Sequence, residues 1–138
     1  MVDDVLLNKA ATIERCVARA TEEYQKDPAS FASDLTRQDA AILNIQRACE
    51  ACLDIGHVII RRERLGAPQS ARDVFTLLER AGWIDADLAK ALQRMVGYRN
   101  IAVHDYQSLQ LSITVAVIDH HLGDFLAFSR AILARSPG

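Results

Sequence analysis

The chain has 138 residues, half of them apolar, a quarter charged and 6% aromatic, with a formal net charge of −2. That length fits one domain with an ordinary hydrophobic core, and the composition excludes a disordered chain, a collagen-like repeat and a disulfide scaffold. The slight acidity excludes a protein that coats nucleic acid through many phosphate contacts, but it leaves room for a small local basic site.

From Leu6 the apolar positions Leu6, Ala10, Ile13, Val17, Ala20 and Tyr24 recur at threes and fours, predicting a first helix that Asp27-Pro28 ends. Ala29 to Leu35 reads as a loop, after which Thr36 and Asp39 have the spacing of a capping box. A long second helix follows to around Arg61. It carries two stripes, one of Ala41, Ile45, Ala48, Cys52, Ile55 and Ile59, the other of Ile42, Cys49, Leu53 and Ile60, which place it centrally in a bundle. Gly66-Ala67-Pro68 is a break. Ser70 to Asp73 opens a short third helix through Val74, Phe75, Leu77 and Leu78, and Gly82 stops it. Asp85 caps a fourth helix with Leu88, Leu92 and Met95 inward. Ser108 caps a fifth, whose face holds Leu111, Val115, Ile118, Leu122, Phe125 and Ile132. The expected fold class is all-α, an up-and-down bundle of about five helices forming a single domain over 1–138.

No apolar run approaches the roughly 18 residues of a membrane span, and Met1-Val2-Asp3-Asp4 lacks the basic start of a signal peptide, so a cytoplasmic location is expected. The cysteines Cys16, Cys49 and Cys52 are then reduced thiols. Cys49-x-x-Cys52 has neither a βαβ context nor a second ligand pair, and both thiols fall in apolar stripes, so they read as core. Asp54-x-x-His57 has the spacing of half a di-iron site, but neither His120 nor His121 has an acid three residues earlier to complete it. His120 and His121 point about 100° apart on a helix and read as surface residues. No metal or cofactor is implied.

The segment Tyr98-Arg99-Asn100-Ile101-Ala102-Val103-His104-Asp105-Tyr106 puts a charge where the pattern demands a hydrophobe. Around a helix Leu88 and Leu92 fall to either side of Arg99, each within about 20° of its direction, and Met95 and Val103 each within about 40°. A guanidinium in the middle of that stripe needs an acid such as Asp54, a polar cavity or an anion from outside. Asn100 and His104 are four apart, so the amide is expected to fix the imidazole. Tyr106 returns to Arg99's side if the helix persists that far. A structural reading makes Arg99 half of a core ion pair, His104 a helix cap and Tyr106 packing. A functional reading uses Arg to grip a phosphate and His to move a proton from a ribose 2′-hydroxyl, which together suit metal-independent RNA cleavage.

Arg99, His104 and Tyr106 form the R-x4-H-x-Y motif in full, with Asn100 at the polar position after the Arg. In this the chain resembles the HepT-like toxins of the HEPN superfamily. The likeness extends over most of its length, including Gln46-Arg47-Ala48-Cys49 through Asp54 and His57, Gly66-Ala67-Pro68, and Met95-Val96-Gly97-Tyr98. The resemblance implies a homodimeric ribonuclease toxin of a type VII-like toxin–antitoxin system, with a minimal nucleotidyltransferase as antitoxin and RNA as substrate. It further implies that Arg99 and His104 carry cleavage and that Tyr106 is the residue the antitoxin modifies with AMP. One His beside one Arg per chain suits a two-fold site, because transesterification benefits from both a general base and a general acid.

Two other readings stay open at this point. The chain could be a non-catalytic helical subunit that helps a nucleotidyltransferase bind nucleotide or substrate, with Arg99 holding a phosphate, or a dimeric scaffold with a structural Arg. Arg61, Arg62 and Arg64 form a basic cluster at the end of the second helix that either guides RNA or is a solvated face.

Overall fold

The computed structural model describes residues 3–135, and among these every regular element is helical. Helix α1 spans Asp4–Gln25 and begins where the Asp3 carboxylate accepts from the backbone N–H groups of Val5 and Leu6. Its predicted stripe is the buried one, from Leu6 to Ala20. Helix α2 spans Leu35–Glu63 and packs antiparallel on α1, with Lys9 facing Asp54 and Arg37 facing the far end of α1. Both of its stripes are buried, as expected for a central helix.

The start of α2 differs from the sequence reading. Pro28–Ser33 is a 3-10 turn rather than open loop, and it delivers the chain to the helix one residue earlier than Thr36. Asp34 is therefore the N-cap, its carboxylate accepting from Arg37 N at 3.1 Å, and Asp39 is not part of a capping box. The helix ends at Arg64, whose φ of 54° is left-handed and turns the chain toward Gly66.

Helix α3 spans Ala71–Arg80 and opens on Ser70, as the sequence indicates. It sits so close on α2 at Gly56 that a Cβ there would run into Val74 Cγ1. Gly82, at φ +80°, turns the chain out of α3. Helix α4 spans Ala86–His104, capped by Asp85, and packs against α2, α3 and the last helix.

The predicted fifth helix is two. Helix α5 spans Leu111–His120 and α6 spans Leu122–Arg135, bent by 44° at His121. His121 ends α5 by donating its N–H to Val117 O, then starts α6 by accepting from Asp124 N, and its ring lies 3.4 Å from the Asp124 carboxylate. Gln110, not Ser108, stands at the N-cap of α5, because Ser108 belongs to a 3-10 turn over Tyr106–Ser108 and its hydroxyl donates to Asp105. Phe75 of α3 meets Phe128 of α6 edge to face at 5.7 Å, tying these distant parts of the chain into one core. No single helix among the described residues is long and apolar enough to cross a membrane.

Candidate active site

Arg99 stands on α4 facing α2, in the stripe that buries Leu92 and Met95. Its side chain is 22% exposed. Nη1 donates to Asn100 Oδ1 at 2.6 Å, a short charge-assisted bond, while the nearest carboxylate is Glu50 Oε2 of α2 at 3.9 Å from Nε. Nε is buried and has no hydrogen-bond partner among the described residues. The acid beside Arg99 is therefore Glu50, which the sequence reading does not single out. Asp54 is exposed and pairs with Lys9 at 3.1 Å. One signal for Glu50 is present, since it lies on α2 one turn before Asp54.

Arg99, Glu50, Asp54 and His57 share a cleft of about 540 Å³ with Gln69 and Ser70, which precede α3. Its walls carry both charges and hydrogen-bonding groups, and Arg99 contributes cationic donors to it. A phosphate fits such a wall because a planar guanidinium offers paired N–H groups to two oxygens at once.

His104 is the last residue of α4 and is exposed. Asn100 does not fix it. The amide oxygen is taken by Arg99, and among the described residues no hydrogen bond joins Asn100 to His104. Val103, placed on the inward stripe by periodicity, is 44% exposed, because the buried face of α4 closes at Ala102.

The helix does not persist to Tyr106. Asp105 leaves helical geometry at φ −150°, ψ 54°, and Tyr106 starts the following 3-10 turn. Its hydroxyl donates to the carboxylate of Asp39 on α2, 67 positions away in sequence, instead of opening onto the cleft beside Arg99. Tyr106 is 43% exposed. Partial desolvation of the ring and hydroxyl, and next the Asp39 carboxylate, push its pKa up to about 12.

The remaining candidates lie apart. Burial pushes the Cys49 thiol up to about 12 and the Cys52 thiol well above its ordinary value, in keeping with core cysteines. His120 is exposed and His121 is occupied with Asp124. Arg61, Arg62 and Arg64 are exposed at the end of α2, with Arg62 paired to Asp3. Arg61 lies eleven residues beyond Glu50, about 16 Å along the helix axis.

Known proteins match the chain along most of its length. The profile of the family described as ribonuclease HepT-like matches residues 13–132. The chain is 51% identical over 133 residues to the mRNA nuclease HepT of Shewanella oneidensis, covering 96% of this chain and 99% of that protein. Among solved structures it superposes with a TM-score of 0.92 and 51% identity on a tri-AMPylated Shewanella oneidensis HEPN toxin in complex with MNT antitoxin, covering 96% and 99% of the two chains. A toxin–antitoxin structure with AMP-PNP matches at a TM-score of 0.92 and 50% identity, covering 96% and 100%. With its Arg99-to-Tyr106 motif on an all-helical bundle that these relatives share almost end to end, the chain belongs to the HepT-like ribonuclease family.

Proposed function

We propose that this chain is a cytoplasmic mRNA-cleaving toxin, held in check by a nucleotidyltransferase antitoxin that adds AMP to Tyr106. The observation that carries the reading is Arg99: a largely buried guanidinium, held by one bond to Asn100, that lines a polar cleft five residues before an exposed histidine. Arg99 grips the scissile phosphate and stabilises charge on the phosphorane. His104 takes the proton of the 2′-hydroxyl, the 2′-oxygen attacks phosphorus, and the 5′-oxygen leaves with a proton from the motif histidine of a second copy. The products carry a 2′,3′-cyclic phosphate and a 5′-hydroxyl, and no metal ion takes part. Asn100 serves as the group that orients Arg99.

A homodimer supports this division of labour. Exposed Ile101, Val103 and Ile113 lie on α4 and α5, where a groove of about 450 Å³ runs between the two helices close to the motif. A second copy docked there brings two motifs together. Arg61, Arg62 and Arg64 form an exposed basic edge that suits RNA guidance.

The test is cleavage of RNA by the purified protein with and without chelator, for wild type and His104→Ala. Full cleavage in chelator with loss in His104→Ala is expected. Metal dependence, or an equally active His104→Ala, removes the mechanism, and undiminished phosphate binding without any cleavage points to the non-catalytic subunit instead.

A further inference from the structure

We propose that Asp39 is the general base for AMP addition to Tyr106, so that the acceptor chain itself carries part of the machinery of its own inactivation. This rests on the reading of Tyr106 as the acceptor.

The end of α4 builds the pair. That helix stops at His104, Asp105 breaks the helical path, and the next residue swings its ring across to the first third of α2. There the phenol oxygen, the atom that must become nucleophilic, donates its proton to the Asp39 carboxylate. Neighbouring acids are engaged elsewhere: Asp34 caps α2 and Asp105 accepts from the Ser108 hydroxyl, whereas the Asp39 carboxylate holds the Tyr106 hydroxyl. Both residues are exposed, so an enzyme bringing ATP reaches the oxygen without rearranging the bundle. Leu35 and Leu43, one turn to either side of Asp39, are exposed on the same helix face and leave that approach uncovered.

The phenol needs such a base. With its pKa at about 12, roughly one Tyr106 in 10⁵ is ionised at neutral pH, so attack by preformed phenolate is slow. In the step proposed, the Tyr106 oxygen attacks the α-phosphorus of ATP. An oxygen–phosphorus bond forms, the bond from that phosphorus to the bridging oxygen of pyrophosphate breaks, and pyrophosphate leaves with the electron pair. The proton passes from Tyr106 to Asp39 and from there to solvent. The phenol acidifies as its oxygen bonds to phosphorus, which makes a carboxylate an adequate acceptor in the transition state.

The same chemistry limits Asp39 to one turnover per chain. Once esterified, Tyr106 has no proton to donate, and any later AMP joined to the first is attached through a different oxygen. Asp39 therefore accelerates the first addition alone, which separates a base from a residue that merely shapes the docking surface.

Intact-mass spectrometry of the full chain with its partner nucleotidyltransferase and ATP, followed over time, tests this. Asp39→Asn keeps an oxygen that accepts from the Tyr106 hydroxyl but is no longer a base. The first AMP is expected to appear about 100-fold more slowly, with later additions at their normal rate and partial recovery in Asp39→Glu. An Asp39→Asn chain modified at the wild-type rate, or slowed equally at every addition, overturns the assignment of the base. Tyr106→Phe is the separate control: it should gain no AMP mass, and if it does, the acceptor itself is wrong whatever Asp39 does.

Discussion

Arg37 and Arg99 are both arginines on bundle helices with most of their side chain out of water, 11% and 22% exposed, and the fold treats them in opposite ways. Arg37 is saturated by the chain. Its Nε donates to Glu23 O at 2.8 Å, Nη1 to Ser30 Oγ at 2.8 Å, and Nη2 to both Tyr24 O at 3.2 Å and Asp27 O at 2.8 Å. The carbonyls of Glu23 and Tyr24 lie where α1 ends, and that of Asp27, which also accepts from Ser30 N, opens the 3-10 turn, so Arg37 closes the α1–α2 corner. Arg99 has a single hydrogen bond to its neighbour Asn100, a carboxylate at 3.9 Å and a buried Nε without a partner among the described residues. A guanidinium consumed by backbone carbonyls is architecture. One whose buried Nε is left without a partner beside a polar cleft is not consumed by the fold, as the proposed phosphate-binding role requires.

Substitutions at the two positions should therefore separate stability from activity. Arg99→Ala is expected to lower RNA cleavage by about 10² to 10³, the loss typical of a transition-state donor, while fold stability changes by no more than about 1 kcal/mol. Cleavage assays beside calorimetry check it, and a large drop in melting temperature would make Arg99 another Arg37. Arg37→Ala should do the reverse: a loss of about 3 kcal/mol, or roughly 10 °C in melting temperature, with cleavage at low temperature intact. Asn100→Ala sharpens the contrast from the other side. Removing the 2.6 Å bond frees the Arg99 guanidinium to rotate, so cleavage should fall about tenfold with little change in fold stability, and an unaltered rate would show that Arg99 needs no orienting partner.

The smallest effects fall at Tyr106 and appear at high pH. Tyr98 and Tyr106 both have pKa values raised to about 12, chiefly by burial, so the folded chain keeps protons that the unfolded chain releases at about pH 10. Stability should be unaffected by these groups below about pH 10 and decline as pH rises toward about 12. Asp39→Asn should bring the Tyr106 ionisation back toward about 10 in a spectrophotometric titration, since the carboxylate that helps to raise it is gone. Titration unchanged by that substitution would mean that the Asp39 charge does not act on the phenol in solution.

The two arginines also show what can be read without a structure. Arg99 announces itself, because a charge in an apolar stripe violates helical periodicity. Arg37 gives no signal, since most of its partners are main-chain carbonyls that no side-chain pattern encodes. The helices α1 to α4 are legible from their stripes, and α3 and α4 also from their caps Ser70 and Asp85, for the same local reasons. Asp39 misleads because a capping box and a 3-10 entry capped by Asp34 look alike in sequence, and the difference lies in two residues of helical phase. Tyr106 falls beside Arg99 only on the assumption that α4 continues, whereas the helix stops at His104. The break at His121 is likewise hidden, for the apolar spacing runs through it and the His121–Asp124 contact that marks it is confined to one turn.

That early stop of α4 has a consequence for distance. Asp39, where the Tyr106 oxygen is held, and Glu50, which faces Arg99, stand eleven residues apart on α2, about 16 Å along a rigid axis. With Tyr106 as the proposed acceptor, the phosphorus of a first AMP lies one bond from the Tyr106 oxygen, at the Asp39 end of that ruler. It marks the chain without delivering a phosphate to Arg99 of the same copy. Each further nucleotide lengthens a flexible strand whose later phosphates can lie along α2 toward the guanidinium. Inhibition should then deepen with the number of AMP units carried, and a preparation sorted by mass into singly and multiply modified chains should show cleavage declining stepwise, not vanishing at the first.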